Sequence, residues 1–263
     1  MNLPIDAIYE QFRHLPLSAI GRYCSSDRRL AQLCTQNAAF RRLISEKVVQ
    51  PWIDKSGGDR EEAFIKAGFE GDLTAVDHFL KLGTDLSYSR GTALTNAVGS
   101  QNIKMIDRLL QESRIKPSRA LELAIEEGYL DMLERLLQDP RIDPSKNNNE
   151  LFIYAIRIGA TEAVKRLLQD KRIDPSANDN EAIQVASEEG QPDIVKLLLD
   201  DPRVDPTANE NEAIIQAYEG NFATNDHNER DKYEQVIRLL FYEPRVYNTL
   251  EGPYRWRIAD FLR

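Results

Sequence analysis

Histidine and cysteine, the side chains used most often as metal ligands and nucleophiles, are scarce in this sequence. The 263 residues include three histidines, which lie in unrelated segments, and two cysteines, Cys24 and Cys34. No pair of histidines has the spacing of a metal site, and neither cysteine has a C-x-x-C partner. The sequence also lacks a phosphate-binding loop, a dinucleotide-binding glycine signature and a G-x-S-x-G motif. We therefore expect no catalytic residues, no metal site and no cofactor, and no enzymatic activity.

Paired carboxylates are the other feature that could support chemistry, because two neighbouring carboxyl groups can act as general acid and base. Glu126-Glu127 is such a pair, and Glu188-Glu189 is another. The two pairs occupy equivalent positions in a repeated segment, whereas an active site would occur once. We interpret them as part of a repeated architecture.

A five-residue tag sets the period of that architecture. Arg141–Ser145 reads RIDPS, returns 31 residues later at Arg172–Ser176, and returns after another 31 as RVDPT at Arg203–Thr207. A fixed period in this range is typical of proteins built from stacked small units. Such stacks form long binding surfaces more often than catalytic pockets.

Each unit carries an apolar triplet with the spacing of one helical face. The triplets follow an alanine and a glycine, and they are Leu133, Leu136 and Leu137; Val164, Leu167 and Leu168; and Val195, Leu198 and Leu199. The i, i+3, i+4 spacing predicts a helix, and the preceding glycine predicts a turn between two antiparallel helices. Degenerate copies extend the pattern in both directions, to a total of six helix pairs. An insertion of 11 residues near 221–229 predicts an extended loop or a lengthened second helix.

This pattern resembles the ankyrin repeat. Gly91–Ala97 reads GTALTNA, similar to the family's G-T-P-L-H-x-A, and Lys81–Leu86 is similar to the segment that precedes it. Glu181 and Glu212 replace the family's threonine, so we expect Asn180 and Asn211 to start those helices instead. The resemblance implies an all-α fold, an α-solenoid of about six ankyrin-like repeats over residues 61–250. The amino-acid sequence of the repeats is similar to that of repeat proteins of large DNA viruses and some protists.

Residues 1–48 follow a different pattern, with short amphipathic helices and an opening Leu3-Pro4-x-Asp6-x-Ile8. Together with Leu15, Ala19-Ile20 and the closing Phe40–Leu43, this segment resembles an F-box, although the family's tryptophan near the end is missing. The resemblance implies docking on a Skp-family adaptor of a cullin–RING ubiquitin ligase. The docking residues that it implies are Leu3, Pro4, Ile5, Ile8, Leu15 and Ile20. The alternative is a helical cap that only covers the first repeat.

Two short segments flank the repeats. Residues 49–60 contain Pro51 and Gly57-Gly58, which break helices, so we expect a junction there with Trp52 anchoring the first segment to the first repeat. Residues 251–263 carry aromatic and aliphatic side chains at Tyr254, Trp256, Ile258 and Phe261. We expect this segment to cap the apolar face of the last repeat.

The composition of the chain limits the cellular compartments and the classes of binding partner that we expect. The formal net charge is -9 and the pI is about 5.1, which argues against binding nucleic acid through bulk charge. The sequence has no membrane-spanning run and no signal peptide at its start. Both cysteines lie in apolar helical patterns, so we expect buried thiols in a reducing compartment. These features predict a soluble protein of the cytoplasm or nucleus, and the host cytoplasm if the source is viral.

The function that these resemblances imply is recognition of a protein. We expect the repeats to hold an unidentified target for a cullin–RING ligase, and the alternative is a binding scaffold without any link to ubiquitin. The target would lie along the loop tips and first helices of the repeats. The candidate contact residues, chosen by loop position, are Tyr88, Arg90, Lys146, Asn147, Asn148, Asp179 and Glu210.

Overall fold

The structure, a computed structural model, describes residues 4–26, 28–84 and 91–263. Within those residues all regular secondary structure is helical, which confirms the predicted all-α class. The chain divides into two compact units, Met1–Ala120 and Leu121–Arg263. The first unit holds a group of N-terminal helices followed by two helix pairs. The second holds the remaining pairs and the C-terminal segment.

The helices that lie in the first unit are α1 (Ile5–Arg13), α2 (Leu17–Ser26), α3 (Arg28–Gln36), α4 (Ala38–Lys55), α5 (Arg60–Phe69), α6 (Leu73–Lys81), α7 (Thr92–Gly99) and α8 (Ile103–Leu110). The helices that follow are α9 (Ser118–Glu126), α10 (Leu130–Leu137), α11 (Lys146–Arg157), α12 (Thr161–Leu168), α13 (Ala177–Glu188), α14 (Pro192–Leu199), α15 (Ala208–Ala223), α16 (His227–Phe241), α17 (Pro244–Thr249) and α18 (Gly252–Phe261). From α5 to α16 they form six consecutive helix pairs.

The first two members of each apolar triplet are buried, and the third (Leu137, Leu168 or Leu199) is half-buried. In α12, Val164 and Leu167 are fully buried, and Val195 and Leu198 are equally buried in α14. The turn before each second helix needs a left-handed residue, and Gly159 supplies it between α11 and α12. Gln101 takes the same slot between α7 and α8 and adopts a φ of 52°, as its position in the repeat predicts.

The arginine of each tag links neighbouring repeats through the backbone. Arg172 pairs with Asp170 two residues earlier (2.6 Å), and its Nη1 also donates to the carbonyl oxygen of Ile142 in the preceding repeat (2.8 Å). Arg203 makes the same pair of contacts with Asp201 and with the carbonyl of Ile173. The tag therefore recurs because each arginine satisfies a carbonyl of the repeat before it.

The insertion near residues 221–229 lengthens both helices of the last pair. Helix α15 extends to Ala223, and α16 begins at His227 with Asp226 as its N-cap. Tyr233 on α16 donates a hydrogen bond to the carbonyl oxygen of Glu188 (2.7 Å), so the longer helix remains tied to the preceding repeat.

Helix α4 corrects the predicted junction. It runs without interruption from Ala38 to Lys55 and contains Pro51, so the expectation that Pro51 breaks a helix was wrong. The side of the helix at Pro51 is exposed, which lets water replace the hydrogen bond that proline cannot make. The chain turns only after Lys55, at Gly57 and Gly58. Trp52 donates from Nε1 to Asp72 at the start of α6 (3.3 Å), in keeping with its predicted anchoring role.

Candidate functional site

Three repeats share an unusual left-handed turn directly after the tag. In each, three consecutive residues have φ between 51° and 68°: Asn147–Asn149, Asn178–Asn180 and Asn209–Asn211. Left-handed backbone costs most residues about 1–2 kcal/mol each, and asparagine and aspartate tolerate it best because their side chains bond locally. Eight of these nine residues are Asn or Asp, and Glu210 is the exception. The tandem asparagines in the sequence therefore encode a specific backbone shape.

The last residue of each left-handed turn is buried and bridges to the next tag or helix. Asn149 donates from Nδ2 to the carbonyl oxygen of Asp174 (2.7 Å). Asn180 accepts from the backbone N–H of Asp205 at the same distance. Asn211 accepts from the hydroxyl of Thr249 (3.0 Å). The prediction that Asn180 and Asn211 cap their helices is wrong, because their side-chain oxygens accept hydrogen bonds from the following segment.

The first two residues of each turn are exposed and form the tip of the repeat. Five predicted target contacts lie at or beside these tips and are exposed, namely Lys146, Asn147, Asn148, Asp179 and Glu210. Sequence reasoning missed the equivalent Asn178 and Asn209, which the repeat alignment could have supplied. The other two predicted contacts, Tyr88 and Arg90, lie outside the described residues.

The first helices of these repeats carry a negative surface. There are seven carboxylates and two basic residues in the first helices α11, α13 and α15. By contrast, the second helices α12, α14 and α16 together contain five carboxylates and six basic residues. Two further glutamates, at the ends of first helices, also join repeats: Arg157 donates to Glu189, which follows α13 (3.3 Å), and Tyr154 donates to Glu126 on α9. The recurring glutamates thus have structural contacts, and most of the unpaired charge on the first helices is negative.

The N-terminal helices enclose a small core. Phe12 and Phe40 are almost fully buried and meet edge to face, with ring centroids 5.3 Å apart. Asn37 caps α4, because its side chain accepts from the N–H groups of Ala39 and Phe40. The pattern of short amphipathic helices therefore closes into a core in this segment.

The six residues that the F-box resemblance implies for docking are placed differently from one another. Pro4 and Ile5 are exposed, Leu15 is half-buried, and Leu3 lies outside the described residues. Ile8 and Ile20 are 6% and 1% exposed, so they belong to the core and have no surface to offer a partner. The docking hypothesis therefore loses Ile8 and Ile20 as direct contacts.

Cys24 and Cys34 form a disulfide between α2 and α3, with their Cα atoms 6.0 Å apart. This corrects the expectation of two buried free thiols, and it removes the argument for a reducing compartment that rested on them. The helical patterns placed each cysteine on an apolar face. They did not show that the two faces meet.

The C-terminal helix α18 packs on the last repeat through some of the predicted residues. Ile258 is fully buried, and Phe261 meets Tyr218 of α15 with ring centroids 6.0 Å apart. Tyr254 donates a hydrogen bond to Glu219 (2.8 Å). Trp256 is 75% exposed, so its predicted role in covering the repeat was wrong.

Within the described residues, no group of three or more His, Cys, Asp or Glu side chains is arranged to hold a metal ion. None of the described helices combines the length and the hydropathy needed to cross a bilayer.

Comparison with known proteins agrees with the repeat pattern. The family model "Ankyrin repeats (3 copies)" matches residues 121–210, which run from α9 to the left-handed turn at the start of α15. No curated protein matches the chain, and no solved structure matches it. The fold and the match define the class: the chain contains ankyrin repeats within an all-α solenoid fold, and such repeats are protein–protein interaction modules.

Proposed function

We propose that this protein is a non-catalytic substrate receptor that joins a target protein to a cullin–RING ubiquitin ligase. The N-terminal helices dock on a Skp-family adaptor, and the repeats hold the target. The receptor contributes proximity, because tethering raises the effective concentration of target lysines near the ubiquitin-charged enzyme. The amino-acid sequence of the repeats resembles that of repeat proteins of large DNA viruses. If the source is viral, the adaptor and the target are proteins of the infected host.

The observation that supports docking is the exposed apolar surface of α1 and α2. Ile5 is 45% exposed and Leu17 is 39% exposed, although the core beside them is closed by Phe12 and Phe40. Contiguous exposed apolar side chains mark a surface that meets a partner, and the proposal requires Ile5 and Leu17 to form one such surface. Leu17 was not among the predicted docking residues, and we add it to Pro4 and Ile5.

The repeat tips and first helices support recognition of a target with a basic segment. Their exposed residues include Asp179 and Glu210, and the first helices carry a clear excess of carboxylates. A surface of one sign steers and selects partners of the opposite sign, and this contribution weakens as salt is added.

The docking proposal is tested by titrating the protein with a purified Skp-family adaptor. We expect saturable binding that is lost in the double variant Ile5→Asp/Leu17→Asp. The matched control is Ile103→Asp, an equally exposed apolar residue on α8 of the repeats. Binding that survives the double variant, or that the control abolishes as well, would overturn docking through α1 and α2.

The packing of α4 against both α5 and α6 favours a second candidate function. In that case the N-terminal helices are a cap on the first repeat, and the protein is a binding scaffold without a ubiquitin link. The same titration separates the two functions, since a cap shows no affinity for the adaptor. Removal of residues 1–37 should then lower the melting temperature of the repeats and leave target binding unchanged.

A further inference from the structure

The first unit contains a cleft that neither the repeats nor the docking surface explains. It has a volume of about 630 Å³ and lies between the start of α4 and the end of α6. Its walls include Ile44 and Leu82, and its charged or titratable lining residues are Arg41, Arg42, Lys81 and His78. The volume is within the usual range for a ligand site of about 300–1,000 Å³.

The charge of this cleft is unbalanced. Every charged group that lines it is a cation, and none of its described lining residues is a carboxylate. Arg42 is paired with Glu46 on the next turn of α4 (3.0 Å). Among the described residues, neither Arg41 nor Lys81 has a carboxylate within 4.0 Å. Two unpaired cations in a concave site are unexpected in a chain whose net charge is -9.

The floor of the cleft is held in place by a buried hydroxyl. Ser45 is 3% exposed, its Oγ donates to the carbonyl oxygen of Arg41 (2.9 Å), and it also meets Nδ1 of His78 at 2.9 Å. This contact ties α4 to α6 and fixes the imidazole. The same hydroxyl bonds the carbonyl oxygen of Arg41 one turn earlier in α4, so the backbone that carries Arg41 is joined to α6 at this point.

The electrostatics at His78 agree with this distribution of charge. The pKa of His78 is lowered by burial and, next in size, by the Lys81 ammonium, while Asp77 and Asp72 act in the opposite direction. The imidazole is therefore neutral at neutral pH and leaves the two unpaired cations to define the site.

A second cleft, in the other unit, shows the contrast. It is similar in size, about 680 Å³, and lies between α14 and α16. Its lining includes Asp193, Asp200 and Glu243 together with Lys196 and Arg238, so acids and bases are mixed. The positive charge of the first cleft is therefore not a general property of grooves in this fold.

We propose that the cleft between α4 and α6 binds a compact anionic group, a phosphate or a carboxylate, carried on an extended segment of a protein partner. Arg41 and Lys81 would hold the anion, since clustered cations are the usual means of recognising phosphorylated or acidic peptides. The apolar wall of Ile44 and Leu82 would receive a flanking side chain. This binding is separate from the docking of α1 and α2 and does not depend on it.

The test uses the full chain and three pools of short fluorescent peptides. All pools have varied Ala, Gly and Leu flanks, and they differ in the central residue, which is phosphoserine, glutamate or serine. We expect saturable binding of at least one anionic pool and none of the serine pool, and the tighter of the two anionic pools identifies the source of the charge. Binding that is equal for all three pools, or absent for both anionic pools, would overturn the proposal.

The double variant Arg41→Gln/Lys81→Gln should weaken binding of the anionic pool roughly tenfold or more. The control is Arg22→Gln/Arg60→Gln, which removes the same charge from exposed positions of the same unit and should bind as the original chain does. Both pairs are exposed, so both variants should keep the original melting temperature. Equal weakening in the two variants would show that only overall charge matters, and the site would then be rejected.

Discussion

The left-handed turns show how single residues carry both the shape and the cohesion of the repeats. Asn178 and Asn180 lie in the same turn with similar φ values of 52° and 63°. Asn178 is exposed and contacts Glu181, whereas Asn180 is buried and accepts from the N–H of Asp205 in the next tag. The left-handed backbone therefore costs about the same at the two asparagines, but their side chains have different hydrogen-bond partners.

This pair provides a matched test of the bridge between repeats. Asn180→Ala should destabilise the fold by about 1 kcal/mol more than Asn178→Ala, because it removes the acceptor that the N–H of Asp205 uses in a partly buried hydrogen bond. Both changes place alanine in left-handed backbone, so that strain cancels in the comparison. Denaturant unfolding of the two variants measures the difference. Equal unfolding midpoints would show that the bridge adds nothing.

The aspartates that pair with the tag arginines predict how stability responds to acid. The pKa of Asp170 is lowered, chiefly by the hydrogen bond from Arg172, and that of Asp201 is lowered in the same way by Arg203. A carboxyl group whose folded pKa lies below its unfolded value stabilises the fold at higher pH. That stabilisation begins to fall near the ordinary value of 3.8 and is lost as pH drops through the folded pKa.

Asp170→Asn should therefore destabilise the protein at pH 7 and have less effect in acid. The measurement is the difference in unfolding free energy between the variant and the original chain, followed from neutral pH to below 3.8. We expect this difference to shrink as pH falls. A difference that stays constant over the whole range would mean that the charge of Asp170 is not what stabilises the tag.

At the scale of helices, the apolar triplets make a direct prediction about packing. Leu167 and Leu198 are fully buried in α12 and α14. Leu167→Ala or Leu198→Ala should cost roughly 2–5 kcal/mol, because each leaves a cavity that the neighbouring helices fill only in part. Lys165→Ala, on the exposed side of α12, is the control and should change stability little. A neutral result for either leucine in a denaturant melt would mean that the triplet does not face the core.

The C-terminal helix gives a second test at this scale. Removal of residues 251–263 should uncover Tyr218 and the end of α15, and should lower the melting temperature or cause aggregation. Trp256→Ala should have almost no effect on melting, because that side chain is exposed. Unchanged melting and solubility after the deletion would argue against a capping role for α18.

Sequence patterns predicted the parts of the fold that rest on periodic burial. The triplets predicted the helix pairs, and the glycine before each triplet predicted the turn between the two helices, as at Gly159. Features that depend on which faces meet were not accessible. The Cys24–Cys34 disulfide requires α2 to approach α3, and a helix through Pro51 requires the exposed side that only packing reveals.

The candidate binding residues were predicted less well than the fold, for a physical reason. Loop position correctly placed Asp179 and Glu210 at exposed tips, since the repeat period fixes where tips fall. A motif match cannot separate an apolar residue that docks from one that packs. Ile8 and Ile20 were therefore predicted as docking residues but lie in the core, while Leu17, which is exposed, was not among the predicted residues.

At the scale of the whole molecule, the proposed function uses separate surfaces for separate partners. The exposed apolar residues of α1 and α2 would dock on a ligase adaptor, and the tips and first helices of the repeats would hold a target. Because these surfaces share no residues, a change in one should leave the other working. A scaffold without a ubiquitin link does not have two independent surfaces, because the target is the one partner whose binding a variant could abolish.

The most direct measurement of this central claim is affinity capture from cell extract with three forms of the full chain, followed by identification of the recovered proteins. The original chain should recover a Skp-family adaptor with its cullin and at least one further protein. Ile5→Asp/Leu17→Asp should lose only the ligase subunits. Asn148→Gly/Asp179→Gly/Glu210→Gly, which removes the side chains but suits the left-handed backbone, should lose only the further protein. Recovery of no ligase subunit by the original chain, or loss of both sets of proteins in either variant, would contradict the account.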